Sequence, residues 1–407
     1  MENKYKLGGG YAWLVWLIAT IFVVWLFNVQ TGYAILNHDV AKSLHLSIEQ
    51  VGLIAATYTW VFAIVQLFSG ALLDKLGAKR VLVPAIFFVM VGVFIFANAT
   101  NFEMLLLSQF ILAIGSSAGF VGAGYVGGVW FGMAKFGIMF GLVQMVASLS
   151  SAFGQTAFDF ALSNMSWQTL MFGFGIFGII LLIVAAIFIK NPTPMETKFT
   201  PGQFIISVVS AIIELLKKGQ IWAISIQGAI VFGMILALGV VWGPKLLIAH
   251  GLSMTEANHA TACIWLGLAV GAAFINKISN SMKSRKHPII IATLIQILAL
   301  AAAVYLDLSP ILAMVVYFVF GVCNAGHMLN FTAAGDIVPV HLIGTSASIV
   351  NGSMFVAGGI LMGLPGKMLA GTQESLADYQ SAMIVMVGAL ILALLVAVFW
   401  MKESYKE

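Results

Sequence analysis

Three polar side chains recur at intervals of three in an otherwise apolar stretch: Asn324, His327 and Asn330. Amide and imidazole groups on roughly one helix face suit hydrogen bonding to a polar solute. His327 adds proton chemistry, because an imidazole changes charge near neutral pH. A second set, Gln144, Ser148, Ser151 and Gln155, follows spacings of 4, 3 and 4, again one helix face. Asn28, Gln30, Tyr33, Tyr125, Gln227 and Asn351 are further polar groups within apolar runs. Asp159, near the end of the fifth apolar run, is the candidate proton carrier after His327. The competing reading is interhelical hydrogen bonding, worth about 0.6 kcal/mol on average inside a membrane.

Other chemistry is missing from the sequence. There is no H-E-x-x-H, no carboxylate pair within an apolar run, and no nucleophile beside a suitable base, so a membrane enzyme has little support. No phosphate-binding loop G-x-x-x-x-G-K-[ST] occurs, so ATP is not expected to drive this chain. No metal or other cofactor is expected. The glycines between 115 and 128, and between 352 and 363, read as close-packing surfaces along which helices can slide.

The elements that must position these residues follow from composition. The 407 residues are 61% hydrophobic and 8% charged. Soluble domains carry about 25% charge, so a soluble surface cannot be built and the chain is a polytopic membrane protein. Its net charge of +4 comes from scattered lysines, which argues against nucleic acid as a partner. Twelve apolar spans are expected at about 11–36, 47–70, 80–99, 103–131, 137–161, 166–189, 220–248, 255–276, 288–306, 311–335, 342–367 and 379–400. With both termini in the cytoplasm, sixteen of the 19 Lys and Arg residues lie on the cytoplasmic side, leaving Lys42, Lys245 and Lys367 outside. Residues 190–219 hold the longest polar interruption, with Pro192, Pro194 and Pro201 and then an amphipathic stretch ending at Lys217 and Lys218. This cytoplasmic linker separates an expected six-helix bundle at 1–189 from a second at 220–407.

The halves repeat weakly at a shift of 206 residues. Leu46-Ser47 falls on Leu252-Ser253, and Lys79-Arg80 on Arg285-Lys286. Gly70 then matches Asn276, and Asp74 matches Asn280. Duplicated bundles that rock about a midplane site are the architecture of secondary carriers.

Residues 70–80 read G-x-x-x-D-K-x-G-x-K-R, with Gly70, Asp74, Lys75, Gly77, Lys79 and Arg80 as the fixed positions. This stretch resembles the signature loop of the major facilitator superfamily. The resemblance implies an all-α fold of twelve transmembrane helices in two pseudo-symmetric bundles. It also implies a gating role for the six signature residues, with Asp74 helping to hold the cytoplasmic side closed. Asp74 at a membrane edge suits a helix N-terminus, where the dipole favours an anion. Two family features are absent. Gln109 stands where many proton-coupled relatives carry Arg in helix 4, and helix 5 lacks the Gly-Pro signature of drug exporters.

In the superfamily helices 1, 4, 7 and 10 line the cavity, helped by 2, 5, 8 and 11. That makes Asn28, Tyr33, Tyr125, Gln144, Ser148, Gln227, Asn324, His327, Asn330 and Asn351 the candidate substrate-cavity residues. No Asp, Glu, Lys or Arg is expected at the centre of a span, which favours a neutral, zwitterionic or large polar solute over a small dicarboxylate. The Leu-Ser-x-x-Gln-x-Gly start of helix 2 (Leu46, Ser47, Gln50, Gly52), Trp130-Phe131 and Trp242-Gly243-Pro244 resemble bacterial organic-solute uptake carriers, among them phagosomal nutrient transporters, oxalate–formate exchangers and siderophore carriers. The expectation is a secondary transporter for amino-acid-like nutrient uptake, coupled to protons, monomeric, in a bacterial-type inner membrane. A siderophore, organic-anion or drug carrier is the alternative.

Overall fold

The computed structural model describes residues 5–193 and 200–406. Lys4, Pro194 and Lys198 lie outside the described residues, as do the side chains of Gln155 and Asp159. No strand occurs among the described residues. The helices in chain order are α1 (Gly10–Leu44), α2 (Ile48–Ala97), α3 (Phe102–Ser116), α4 (Gly119–Phe131), α5 (Phe136–Leu162) and α6 (Trp167–Phe188). They continue with α7 (Pro201–Leu216), α8 (Gly219–Leu236), α9 (Gly243–Ala249), α10 (Met254–Ser281) and α11 (Lys286–Tyr305). The last are α12 (Pro310–Asn324), α13 (Met328–Asp336), α14 (Ile343–Leu369) and α15 (Leu376–Leu395).

Among the described residues, 11 stretches are long and apolar enough to cross a bilayer. The second and third expected spans form one of them, because α2 runs on through the signature loop. Gly77 alone leaves the helix there, with φ 76° and ψ 171°. α1 extends past its expected end at 36 because nothing between Asn37 and Leu44 breaks a helix. It stops at His45, whose φ of 53° is left-handed.

The internal repeat has a local physical counterpart. Ser47 caps α2 and Ser253 caps α10, each in a reciprocal box with the residue three further on, Gln50 and Glu256. Corresponding positions in the two halves thus start corresponding helices in the same way.

The chain divides into two compact units. One comprises residues 1–213 with 340–348, and the other 214–339 with 349–407. The division between them falls inside α7, and residues 340–348 at the start of α14 group with the first unit. Two expected spans of the second unit are interrupted. Between α8 and α9 the chain takes a wide π turn at Ala237–Trp242, where Pro244 in the following helix removes one backbone donor. Between α12 and α13 it tightens to a 3₁₀ turn over Ala325–His327.

Candidate functional site

The signature loop positions Asp74 near the end of the first half of α2, before the bend at Gly77. Its carboxylate accepts three hydrogen bonds from the first turn of α14. Gly344 N–H donates to Oδ1 at 2.9 Å, while Thr345 N–H and Thr345 Oγ1 both donate to Oδ2 at 2.7 Å. An anion there satisfies amides that a helix start leaves without partners. The contact needs small residues. A Cβ on Gly70 would collide with the Gly344 carbonyl, and one on Gly344 would lie 2.6 Å from the Gly70 oxygen. Ser348 Oγ adds a bond to the Leu67 carbonyl at 3.3 Å. Beyond the bend, Asn191 Oδ1 accepts from Lys79 N–H at 3.4 Å. Lys79 and Arg80 are exposed, and Lys75 is partly so. A cleft of about 490 Å³ opens beside this contact, lined by Asp74, Tyr125, Met133, Thr193, His341 and Ile343 among others.

The sequence-selected polar residues of the first unit form local bonds. Asn28 donates to Val24 O at 2.7 Å and to Ser150 Oγ at 2.5 Å. Tyr33 donates to Val51 O at 3.2 Å, which ties α1 to α2. Gln144 donates to Ser148 Oγ at 3.0 Å, and both are buried. Tyr125 is half-buried at the cleft. These residues are therefore not one cluster.

The second unit brings its candidates together. Gln227 on α8 donates to Thr293 Oγ1 on α11 at 3.0 Å and accepts from Asn330 Nδ2 on α13 at 2.7 Å. One turn further along α8, the Val231 carbonyl accepts from Asn324 Nδ2 at 2.6 Å. His327 sits in the break between α12 and α13. Its Nδ1 meets the Asn324 carbonyl at 2.7 Å, and its ring centroid lies 4.9 Å from that of Phe232. Gln227, Asn324, His327 and Asn330 are all at most 1% exposed. Asn351 is buried on α14, in its second-unit portion. Thr293 is a member of this network that sequence reasoning missed. Its spacing from Gln296 on α11 was the available signal.

The second copy of the signature is built differently from the first. Arg285 Nε pairs with Asp336 at 2.8 Å, and Arg285 Nη1 donates to Ser279 Oγ at 3.0 Å and Asn280 Oδ1 at 2.6 Å. The C-terminal tail folds over it. Glu403 accepts from Ser284 Oγ, and from the N–H groups of Arg285 at 2.8 Å and of Ser404 and Tyr405 at 2.9 Å. The Tyr405 ring lies 4.9 Å from the Arg285 guanidinium carbon. Partial burial disfavours charge on Glu403, but these donors outweigh it and pull the carboxyl down to about 2. Sequence alone does not single out Glu403, because Ser284 and Arg285, which it joins to the tail, lie more than 110 residues away.

The sequence has relatives. The uncharacterized transporter YybO of Bacillus subtilis (strain 168) is 19% identical over 383 residues, which are 88% of each chain. The probable galactarate/D-glucarate transporter GarP of Escherichia coli (strain K12) is 23% identical over 68% of this chain and 59% of its own length. The probable nitrate/nitrite antiporter NarK1 of Thermus thermophilus is 24% identical over 61% of this chain and 57% of its own. Among solved structures, the E. coli fucose:proton symporter FucP matches with a TM-score of 0.72 at 15% identity, covering 96% of this chain and 99% of that one. The human organic anion transporter MFSD10 matches with the same TM-score of 0.72 at 13% identity, covering 95% and 99%. Finally, the profile of the Major Facilitator Superfamily matches residues 16–363, and the chain belongs to that family of multi-pass membrane transporters.

Proposed function

We propose that the chain carries a small, neutral or zwitterionic organic solute, amino-acid-like in character, inward across a bacterial inner membrane by alternating access. The observation that carries this reading is the uncharged polar seam between α8 and the broken helix α12–α13. Substrate and ion sites of secondary carriers sit at interrupted helices near the midplane. Among the described residues, Arg285 is the one Asp, Glu, Lys or Arg that is buried, and it is committed to Asp336. A small dianion would want fixed cations at its site, and the seam supplies amides, a hydroxyl and an imidazole instead. The two bundles at 1–189 and 220–407 are the moving parts in this reading, joined by the linker at 190–219.

Asp74 is the proposed gate element. Its three bonds to the start of α14 stabilise one conformation and must break for another to form. Protons are the proposed coupling ion, as in the fucose:proton symporter FucP, with His327 and Asp159 as their candidate carriers. The bacterial relatives support the inner-membrane location.

A second reading, an organic-anion carrier, is favoured by the galactarate/D-glucarate, nitrate/nitrite and organic-anion names among the similar proteins. Reconstituted vesicles separate the two. Purified protein in liposomes with an imposed pH gradient would be offered radiolabelled L-amino acids, D-glucarate and nitrate. Accumulation of an amino acid, abolished by a protonophore, is the expected result. Accumulation of D-glucarate or nitrate alone overturns the amino-acid reading.

A further inference from the structure

The polarity of the seam can be worked out bond by bond. Thr293 Oγ1 donates to the Ile289 carbonyl at 2.7 Å, so it must accept from Gln227 Nε2. The other end of the Gln227 amide is then an acceptor, and Asn330 has to present its Nδ2 to it. Asn330 Oδ1 is left over, buried and without a partner. Asn324 likewise spends its Nδ2 on the Val231 carbonyl and leaves Oδ1 unpartnered. A carbonyl can only accept, so His327 Nδ1 carries the proton toward Asn324 O. In the neutral ring with its proton on Nδ1, the unpartnered Nε2 is an acceptor.

Every unpartnered buried side-chain atom found on the broken helix is therefore an acceptor: Asn324 Oδ1, His327 Nε2 and Asn330 Oδ1. The other unpartnered side-chain atoms of this unit, on Ser225, His250, Asn276, Gln296 (both amide ends) and Ser404, lie outside the broken helix. The three acceptors recur every three residues: Asn324 and His327 are joined by the 3₁₀ turn, where side chains at that spacing eclipse, and Asn330 follows in the first turn of α13. All three residues meet the same short stretch of α8, at Gln227, Val231 and Phe232. Leaving a buried acceptor unmade costs about 1–3 kcal/mol, so three on one seam call for a donor-rich partner.

We propose that the acceptors of Asn324, His327 and Asn330 form a subsite for a primary ammonium group of the transported solute. An ammonium offers three donors and no acceptor, which complements a set that offers only acceptors. The face of Phe232, beside the His327 ring, suits a cation as well. A hydroxyl would bring an acceptor of its own to an acceptor-only site. This inference rests on the amino-acid-like reading above and narrows it to the end of the solute that the helix break holds.

The test uses the full-length purified protein and matched ligands. Each L-amino acid is paired with its 2-hydroxy acid and its N,N,N-trimethyl betaine, and thermal stabilisation is titrated for each. The expected result is stabilisation by an amine that weakens at least about 100-fold in apparent affinity for both analogues, as expected where polar site groups lose their partners. His327→Phe, which keeps a ring beside Phe232 but no acceptor, is expected to weaken the amine at least about tenfold, roughly one lost hydrogen bond to a charged group. His327→Gln, which keeps a carbonyl acceptor, is expected to restore most of it. If a variant does not fold, the ligand series on the unaltered protein decides alone. Equal affinity for amine and hydroxy acid overturns the subsite. So does proteoliposome uptake of a solute without an amine, such as D-mannitol or D-glucarate, with no amine stabilising the protein; the carrier reading then stands. Absence of uptake for every solute removes the carrier reading itself, and the subsite with it.

Discussion

Asp74 and Thr345 are 271 residues apart in sequence, and Thr345 donates both its backbone N–H and its hydroxyl to one oxygen of the Asp74 carboxylate, at 2.7 Å each. The signature loop of the first bundle thus ends on the opening turn of α14. Hydrogen bonds to a charged group contribute about 1.5–3 kcal/mol each, so the contact is strong enough to bias a conformational equilibrium. Asp74→Asn keeps the shape but replaces one acceptor oxygen with a donor. Uptake into proteoliposomes is expected to fall at least about tenfold, one such bond's worth, while ligand-induced thermal stabilisation persists. Unchanged uptake would show that the contact is not part of the transport cycle.

Gly70 tests the same contact by volume. Its missing Cβ is what admits the Gly344 carbonyl. Gly70→Val forces the two segments apart, and overpacking of this kind costs about 1–3 kcal/mol. A lowered unfolding temperature for Gly70→Val, with a smaller drop for Gly70→Ala, is the expected order. A valine variant as stable as the parent would mean the segments separate freely.

The bond polarity of the second unit predicts an asymmetry at Thr293. Thr293→Val removes the acceptor of Gln227 Nε2 and leaves a buried donor unpaired. Thr293→Ser keeps it. The valine variant is expected to lose stability on the order of the membrane hydrogen-bond average of about 0.6 kcal/mol and at most about 1.7 kcal/mol, and serine much less. Thermal unfolding in detergent distinguishes them. Equal behaviour of the two would mean that Gln227 does not rely on Thr293 as its acceptor.

The C-terminal tail carries a pH dependence. Glu403 is held at about 2, against 4.5 for a free glutamate. Its depressed value means that its contribution is complete above about 4.5 and is lost as pH falls toward 2. Glu403→Gln should therefore lower thermal stability relative to the parent at pH 6, and the gap should close as pH falls through this window. A gap that stays constant down to pH 3 would exclude the carboxylate as its source.

Most of the architecture was legible in the residues themselves. A chain with 8% charge has to span a membrane, and the apolar runs mark where. The signature at 70–80 points to the superfamily by itself, because its glycines and its aspartate are tied to backbone geometry. Even the caps of the repeat could be read, since Ser47 with Gln50 and Ser253 with Glu256 act within one helical turn. The spacing of Asn324, His327 and Asn330 likewise marked one face of a helix.

How that face is bonded is decided by tertiary packing. The sequence could not show that the helix breaks at Ala325–His327, nor that Asn324 and Asn330 both turn their donors toward α8. An amide carries donor and acceptor at one position, so its type leaves open which end stays free, and only the identity of its neighbours resolves it. The same holds for Asp74, Arg285 and Glu403. Their charges are plain in the sequence, but Thr345 for Asp74, Asp336 for Arg285 and the Arg285 N–H for Glu403 lie 51 to 271 residues away, and only the folded chain brings them within hydrogen-bond reach.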